Sequence, residues 1–427
     1  MIREIACKNG LKVILHPVEN AYSANIGVFI KAGTINEEND NYGCAHFLEH
    51  MLFKGTARRN ARELAEAIDG VGGSLNAYTS HEYTCFYTRT LPEDGALALD
   101  VLGDMIAGSV LAEEEIEKEK MVILEEISMY EDDPQSFIFD TFTRSMYAGS
   151  PLGASILGDR ELVKEMDRKR LMAYYSRHYR PDNMILVITG AIFQELEQQI
   201  QEIFGALPEP DDLETPADIP NHPVAFGLKT YERENVSQTH FVMGLPGFGK
   251  THPEYYSLMI LSNILGGSPS SRLFQELREK RPLCYDIGSY SAGFRDVGEL
   301  VISGGASPES FPEALRTIRE ITDDLARSGV SEDEFQRGRK QIKSRLVLGG
   351  ESPKNILFHV GSAYVYHDGY KETGELLDML DGITYQGFQE FVRTYFRNQE
   401  FRACILGPVG SHNLKADWEE IYGTVKS

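Results

Sequence analysis

Gly43-Cys44-Ala45-His46-Phe47-Leu48-Glu49-His50-Met51-Leu52-Phe53 is the stretch from which the rest of the chain is read. No proline or glycine interrupts residues 44–54, and most of them are good helix formers, so the stretch predicts a helix. On a helix His46, Glu49 and His50 sit at i, i+3 and i+4 and share one face. Two imidazoles one turn apart can converge on a single ion. Neutral imidazole suits zinc, which takes four ligands and keeps one position open where it is catalytic. Glu49 lies between the two imidazoles, placed to take a proton from water. Read this way, the H-x-x-E-H pattern is that of an inverted zincin. The plain alternative is an amphipathic helix whose two histidines happen to share a face, and only a third ligand separates the two.

The chain has 427 residues, too many for one ordinary domain. Its net charge of −23 argues against nucleic acid or anionic membrane as a partner. Runs such as Glu113-Glu114-Glu115 read as solvated helix faces. Cys7, Cys44, Cys85, Cys284 and Cys404 are scattered, odd in number and lack a C-x-x-C pair, which fits a reducing compartment. Arg3, Glu4 and Lys8 stand where a signal peptide needs an apolar core, and no apolar run reaches membrane-spanning length. The expected location is the cytoplasm.

Residues 2–7 and 11–17 flank Lys8-Asn9-Gly10 as a hairpin, and 23–32 is a third strand. After the motif helix come a helix over 60–69, strands over 74–78 and 83–90, and long helical patterns from 92 to 147. A helix near 162–178, a buried strand at 184–189 and a helix over 193–204 follow. Strands with clustered helices predict an α+β class. The Pro- and Asp-rich residues 211–222 read as a linker. Beyond it the order repeats. Residues 112–116 set against 331–335, Ile123 meets Ile342 and Pro134 meets Pro353 without a gap. Two homologous halves follow, 1–210 and 223–427.

The helix around 113–130 holds the third ligand. Glu119 and Glu126 are seven apart, on one face, beside the apolar stripe of Ile116, Ile123 and Ile127. Glu125 is rotated about 100° away, toward water. An inward carboxylate needs a cation or a hydrogen-bond partner, and zinc supplies one for Glu126. Glu119 then orients a ligand from behind. The second half has Gly338 and Arg345 at these two positions and no H-x-x-E-H near 261–267, an asymmetry that a purely structural helix would not need.

One competing pattern exists. Residues 244–251, Gly-Leu-Pro-Gly-Phe-Gly-Lys-Thr, fit G-x-x-x-x-G-K-[ST] after a candidate strand at 240–244, which would indicate nucleotide binding. Pro253 stands where the phosphate-binding helix should already run, and the equivalent loop 32–42 has no such glycines.

H-F-L-E-H-M-L-F-K-G-T at 46–56, G-G-S-L-N-A-Y-T-S at 72–80, the Glu119/Glu126 pair and S-S-R-L-F-Q-E-L-R-E-K-R at 270–281 together resemble the pitrilysin or insulinase family of zinc metallopeptidases. The likeness is nearest to bacterial relatives of the mitochondrial processing peptidase β subunit, and covers nearly the whole chain. It implies a zinc endopeptidase with one Zn²⁺ per chain, His46, His50 and Glu126 as ligands and Glu49 as general base. It implies that Arg278 and Tyr285, from the second half, hold the substrate carbonyl and developing oxyanion. Asn76 and Ala77 match a strand edge that pairs with extended peptide, and Phe53 is a further substrate contact. A homodimer, or a heterodimer with an inactive relative, is implied as well. Some family members are non-catalytic core subunits, and the intact His46, Glu49, His50 and Glu126 argue against that reading here.

Overall fold

A computed structural model describes residues 2–38, 41–193, 195–208, 227–397, 400–410 and 413–423; the linker expected at 211–222 lies outside them. β1 (Arg3–Ala6) and β2 (Lys12–Pro17) form the expected hairpin. Gly10 takes the left-handed φ of 88° at the turn, which a side chain would strain. β3 (Ala24–Ile30) leads to α1 (Cys44–Leu52) and α2 (Ala61–Asp69). Asn60 caps α2 by accepting from the Glu63 N–H, and the Glu63 carboxylate returns the bond, so the second helix starts where a capping box dictates. β4 (Ser74–Thr79) and β5 (Thr84–Thr90) follow, then α3 (Gly95–Gly108), α4 (Glu113–Asp132) and α5 (Pro134–Met146). β6 (Met184–Gly190) closes the first sheet in the order β1-β2-β6-β3-β5-β4. Only the β2–β6 pair is parallel.

β3 and β6 are buried at every position. Successive strand residues point to opposite faces, so both faces of this sheet must be covered. Ile26, Val28, Ile30, Leu186 and Ile188 join the core that holds Phe47, Leu48 and Met51 of α1. Phe29, Ile185 and Val187 belong to a second core with Leu357, Val360 and Tyr364. These come from the helix Pro353–His367, which lies in the other half of the sequence. It approaches the sheet closely: a Cβ on Gly361 would lie 2.1 Å from the Phe29 ring, and one on Gly27 would lie 3.2 Å from the Leu357 side chain.

The second sheet comprises β7 (Leu228–Arg233), β8 (Thr239–Phe248), β9 (Cys284–Gly293), β10 (Val297–Ala306) and β11 (Arg402–Pro408). Its order, β7-β11-β8-β10-β9 with β7 and β11 parallel, repeats β2-β6-β3-β5-β4 strand for strand. The fold is therefore α+β and internally duplicated. Pro134 and Pro353, matched by the repeat, each open a helix after a side-chain cap, Asp133 to the Ser136 N–H and Ser352 to the Asn355 N–H. α5 covers the second sheet as its counterpart covers the first: Phe137 packs edge-on to Tyr231 at 5.1 Å, and the Phe142 ring lies against Gly244. The compact units are accordingly not two sequence blocks. The described residues within Met1–Met129, Ala154–Ile219 and Leu348–Tyr370 form one, and those within Tyr130–Gly153, Pro220–Val347 and Lys371–Ser427 the other.

Some expected boundaries move. The helix expected near 162–178 is two, Arg160–Glu165 and Arg168–His178, because Asp167 leaves the helical conformation and caps the second. The helix expected over 193–204 is Leu196–Ile203. The G-x-x-x-x-G-K-T pattern does not make a phosphate loop. Residues 239–248 are paired with β10 along their whole length, from Thr239↔Ala306 to Phe248↔Val297, and the Lys250 N–H then donates to the Phe294 carbonyl at 2.8 Å. Backbone N–H groups engaged in a ladder cannot cradle a phosphate. All five cysteines are buried and none is in a disulfide. Among the described residues no helix is long and apolar enough to cross a membrane.

Gly361→Ala tests the helix-on-sheet contact. Alanine gains about 1 kcal/mol of helix propensity over glycine, but the new methyl overpacks Phe29 at a cost of about 1–3 kcal/mol. Calorimetry should show a lowered first transition for Gly361→Ala. Gly374→Ala, where an added Cβ meets nothing within 4 Å, should not be destabilised. Equal melting of the two variants would contradict the packing described.

Candidate metal centre

Seven of the nine residues of α1 are buried; Glu49 and His50 are the two that are not. His46 faces the same side from one turn earlier and is 7% exposed. Its ring centroid lies 4.6 Å from that of His50. Glu126, on α4, brings Oε2 to 3.7 Å from His46 Nε2 and 3.6 Å from His50 Nε2. One donor atom from each of the three lies within 4.8 Å of the others, and among the described residues no other set of His, Cys, Asp or Glu does this. Two nitrogens and one carboxylate oxygen at such separations fit a tetrahedral zinc with its fourth position open. Burial and the neighbouring His50 depress His46 to about 3, so its imidazole is neutral, as a ligand must be.

Behind these three residues stands a chain of charged groups. His50 Nδ1 is 2.8 Å from Glu119 Oε1, and the other Glu119 oxygen accepts from Lys54 Nζ at 2.6 Å. Glu119 is 3% exposed. Burial alone would raise its carboxyl, but the hydrogen bonds to His50 and Lys54 outweigh it and hold the group below the usual carboxylate range. An ionised Glu119 fixes the proton of His50 on Nδ1 and leaves Nε2 free for metal. Glu125 is exposed, as its rotation from Glu126 implies.

Glu49 lies beside this set. Burial pushes its carboxyl above the ordinary value, opposed by the Thr79 hydroxyl, which donates to Oε2 at 2.6 Å. Thr79 ends β4, and β4 is the edge strand of its sheet. Asn76 and Ala77 lie on that strand; Asn76 is exposed and its Oδ1 accepts from the Ala77 N–H at 2.8 Å. Phe53 follows α1, half-buried against the first core, its ring 6.2 Å from Phe86. Arg278 and Tyr285 belong to the second unit. They neighbour each other there, the guanidinium carbon 5.1 Å from the Tyr285 ring, and Tyr285 is 78% exposed.

The equivalent place in the second unit holds no ligand set. A Cβ at Gly338, the position matched to Glu119 by the repeat, would lie 2.7 Å from the Ile264 side chain, so a longer side chain there would have to displace an apolar group. Arg345 donates to Asn263 Oδ1 at 2.9 Å and to the Gly267 carbonyl at 3.1 Å. Asn263 also donates to Gln341. These polar groups satisfy one another without a cation.

Sequence reasoning missed Lys54, Thr79 and Glu37. Lys54 sits four residues after His50, so helical spacing could have found it. Thr79 reaches Glu49 only through the pairing of distant elements, and no local signal marks it. Glu37 lies seven residues ahead of Cys44, the first residue of α1, yet its carboxylate accepts from the N–H groups of Gly43 and Ala45.

Residues 12–160 match the family model for insulinase, peptidase family M16, and residues 165–342 match that for the peptidase M16 inactive domain. An uncharacterised zinc protease of Bacillus subtilis is 34% identical over 411 residues, covering 96% of this chain and 99% of its own. This chain belongs to the M16 family. A second uncharacterised zinc protease, from Streptomyces coelicolor, is 33% identical over 391 residues, 90% of this chain and 84% of that one. Among solved structures, a protease from Helicobacter pylori shares the fold with a TM-score of 0.89 at 22% identity, over 96% of this chain and 99% of the other. His46, Glu49, His50 and Glu126 all fall in the insulinase segment of this M16 chain, and Gly338 lies in the inactive-domain segment.

Glu119→Gln keeps the shape of the acid and removes its charge. Zinc affinity of the folded protein, measured by chelator competition, should fall roughly 10- to 100-fold. Affinity equal to wild type would reduce Glu119 to a packing residue.

Proposed function

We propose that the chain is a zinc-dependent endopeptidase that binds one Zn²⁺ and cuts peptides or unfolded, extended segments. One observation carries this reading: three converging ligands, His46, His50 and Glu126, beside an acid that is tied by hydrogen bond to a sheet edge. Zinc held by them supplies a Lewis acid and an acidified water. Glu49 takes the proton of the attacking water and passes it to the leaving amine. Its raised proton affinity, a result of burial, suits a group that must both accept and return a proton. The Thr79 hydroxyl holds one Glu49 oxygen in place.

The substrate class follows from β4. An edge strand offers unpaired main-chain groups, and an extended peptide that adds to it gains hydrogen bonds without regard to sequence. Because β4 ends at Thr79, a peptide laid along Asn76 and Ala77 runs toward Glu49. Folded proteins cannot present such a strand and should be poor substrates. Arg278 and Tyr285 take the role that the family resemblance gives them, donation to the substrate carbonyl and the developing oxyanion. The working form is a homodimer or a heterodimer with an inactive relative, and its site of action is the cytoplasm.

A non-catalytic scaffold role draws on the inactive-domain match over 165–342. That segment begins after Glu126 and contains none of the proposed ligands, so it leaves the set His46, Glu49, His50 and Glu126 untouched.

Three measurements on the full chain test the proposal. Chelation should remove about one zinc per chain along with peptide hydrolysis, and zinc should restore both; a metal-free, fully active protein would end the assignment. Glu49→Gln should keep its zinc while turnover of a peptide library drops by roughly 10²-fold or more. Tyr285→Phe loses only a hydroxyl, so kcat should fall at constant zinc content. A Tyr285→Phe enzyme equal to wild type would free that residue of its assigned role.

A further inference from the structure

We propose that Glu37 is a positioning residue that neutralises the positive end of α1, so that the first turn of this helix can hold a divalent cation. The inference rests on the zinc reading above and adds to it a residue that touches neither ligand nor substrate.

His46 is the third residue of α1. The N-terminus of a helix carries about half a positive elementary charge, concentrated on its unpaired N–H groups and felt within the first turn. It is a natural place for an anion and a poor one for a doubly charged cation. Most helices offset the N-terminal groups with a side chain at the cap position. Here the cap position is Gly43, which has no side chain, and its φ of 102° favours glycine. Space also restricts it: a Cβ there would meet Gly158 at 3.0 Å.

Glu37 supplies what Gly43 cannot. Oε1 accepts from the Ala45 N–H at 2.7 Å and Oε2 from the Gly43 N–H at 3.1 Å. The carboxyl is 3% exposed, and burial pushes it up to about 8 against the pull of these two N–H groups, so its charge needs further positive charge nearby. Its own support is rigid. The turn Thr34–Asn36 just before it is fixed by the Ile35 N–H donating to the His81 carbonyl at 2.9 Å and by the Gly33 N–H donating to Asn36 Oδ1 at 3.1 Å. Tyr174, from the helix Arg168–His178, donates its hydroxyl to the Gly33 carbonyl at 2.9 Å. A buried carboxylate with only backbone N–H partners is costly unless positive charge lies near. The helix terminus gives part of that charge, and an ion held by His46 gives the rest. The three fit together: the carboxylate is held by the terminus, and it makes the terminus tolerable to the ion.

A cap that served structure alone would affect folding and leave metal affinity untouched. Glu37→Gln keeps the size and one acceptor oxygen but has no charge. Its zinc affinity should fall roughly tenfold, read by chelator competition on the full chain, with Co²⁺ absorption reporting an unchanged ligand set. Glu37→Asp keeps the charge on a shorter arm and should bind zinc within threefold of wild type, even where zinc-free melting shows it less stable. Equal zinc affinity in Glu37→Gln and wild type overturns the inference. Should Glu37→Gln not fold, Glu37→Asn, also uncharged, decides: a roughly tenfold loss of zinc affinity upholds the role of the charge, and affinity within threefold of wild type overturns it. Wild-type protein that binds no zinc would instead sink the metallopeptidase reading, which keeps the two failures apart.

Discussion

The burial of α1 is the constraint on which the site depends. A nine-residue helix is too short to be stable in water by itself. It persists because Phe47, Leu48, Met51 and Leu52 are locked into the core beneath the first sheet. With that face fixed, the i, i+3, i+4 geometry leaves no choice about where His46, Glu49 and His50 go. The apolar residues of the motif set the direction, and the polar ones inherit it. The same packing explains why the three groups that attach to the helix, Glu119, Thr79 and Glu37, arrive from three separate elements: each meets a helix that is already in place.

The duplication gives an internal control. Two sheets of the same strand order carry the same helices in the same order, so architecture alone does not make a metal site. What differs is a handful of side chains. Where the first half has His46, His50 and the half-buried Glu126 converging on one point, the second has Arg345, Asn263 and Gln341 bonded among themselves, and Ile264 lies against Gly338. A closed polar set of this kind needs no ion, since buried polar groups demand partners of some kind and not a metal in particular.

Much of this was legible beforehand, because it depends on local spacing. The motif helix, the Glu119/Glu126 face and the α+β class all follow from periods of 3.6 and 2. The duplication was legible because Pro134 and Pro353 punctuate equivalent helices. Glu37 and Thr79 were not, since their partners are set by tertiary pairing and the residues themselves look ordinary in sequence. The break at Asp167 was also missed: an aspartate within a helical pattern reads as a tolerated residue until its side chain is seen capping Arg170. The exchange of helices between the halves left no trace in the sequence. A strand such as Met184–Gly190 shows that both its faces are covered, but not by what.

That exchange bears on how the protein is made. The first sheet has all its strands once residue 190 has been synthesised, yet its second face waits for Pro353–His367. At about 5–20 residues per second, the interval on the ribosome is roughly 10–35 s. Through it Ile14, Phe29, Cys85, Ile185 and Val187 form an apolar surface with nothing to cover it. A nascent chain in that state is a natural client for a chaperone, and a premature stop anywhere before the last of these turns leaves a sheet with one greasy side. The order of genes and ribosomes, no less than the final contacts, has therefore shaped what this fold demands of the cell that builds it.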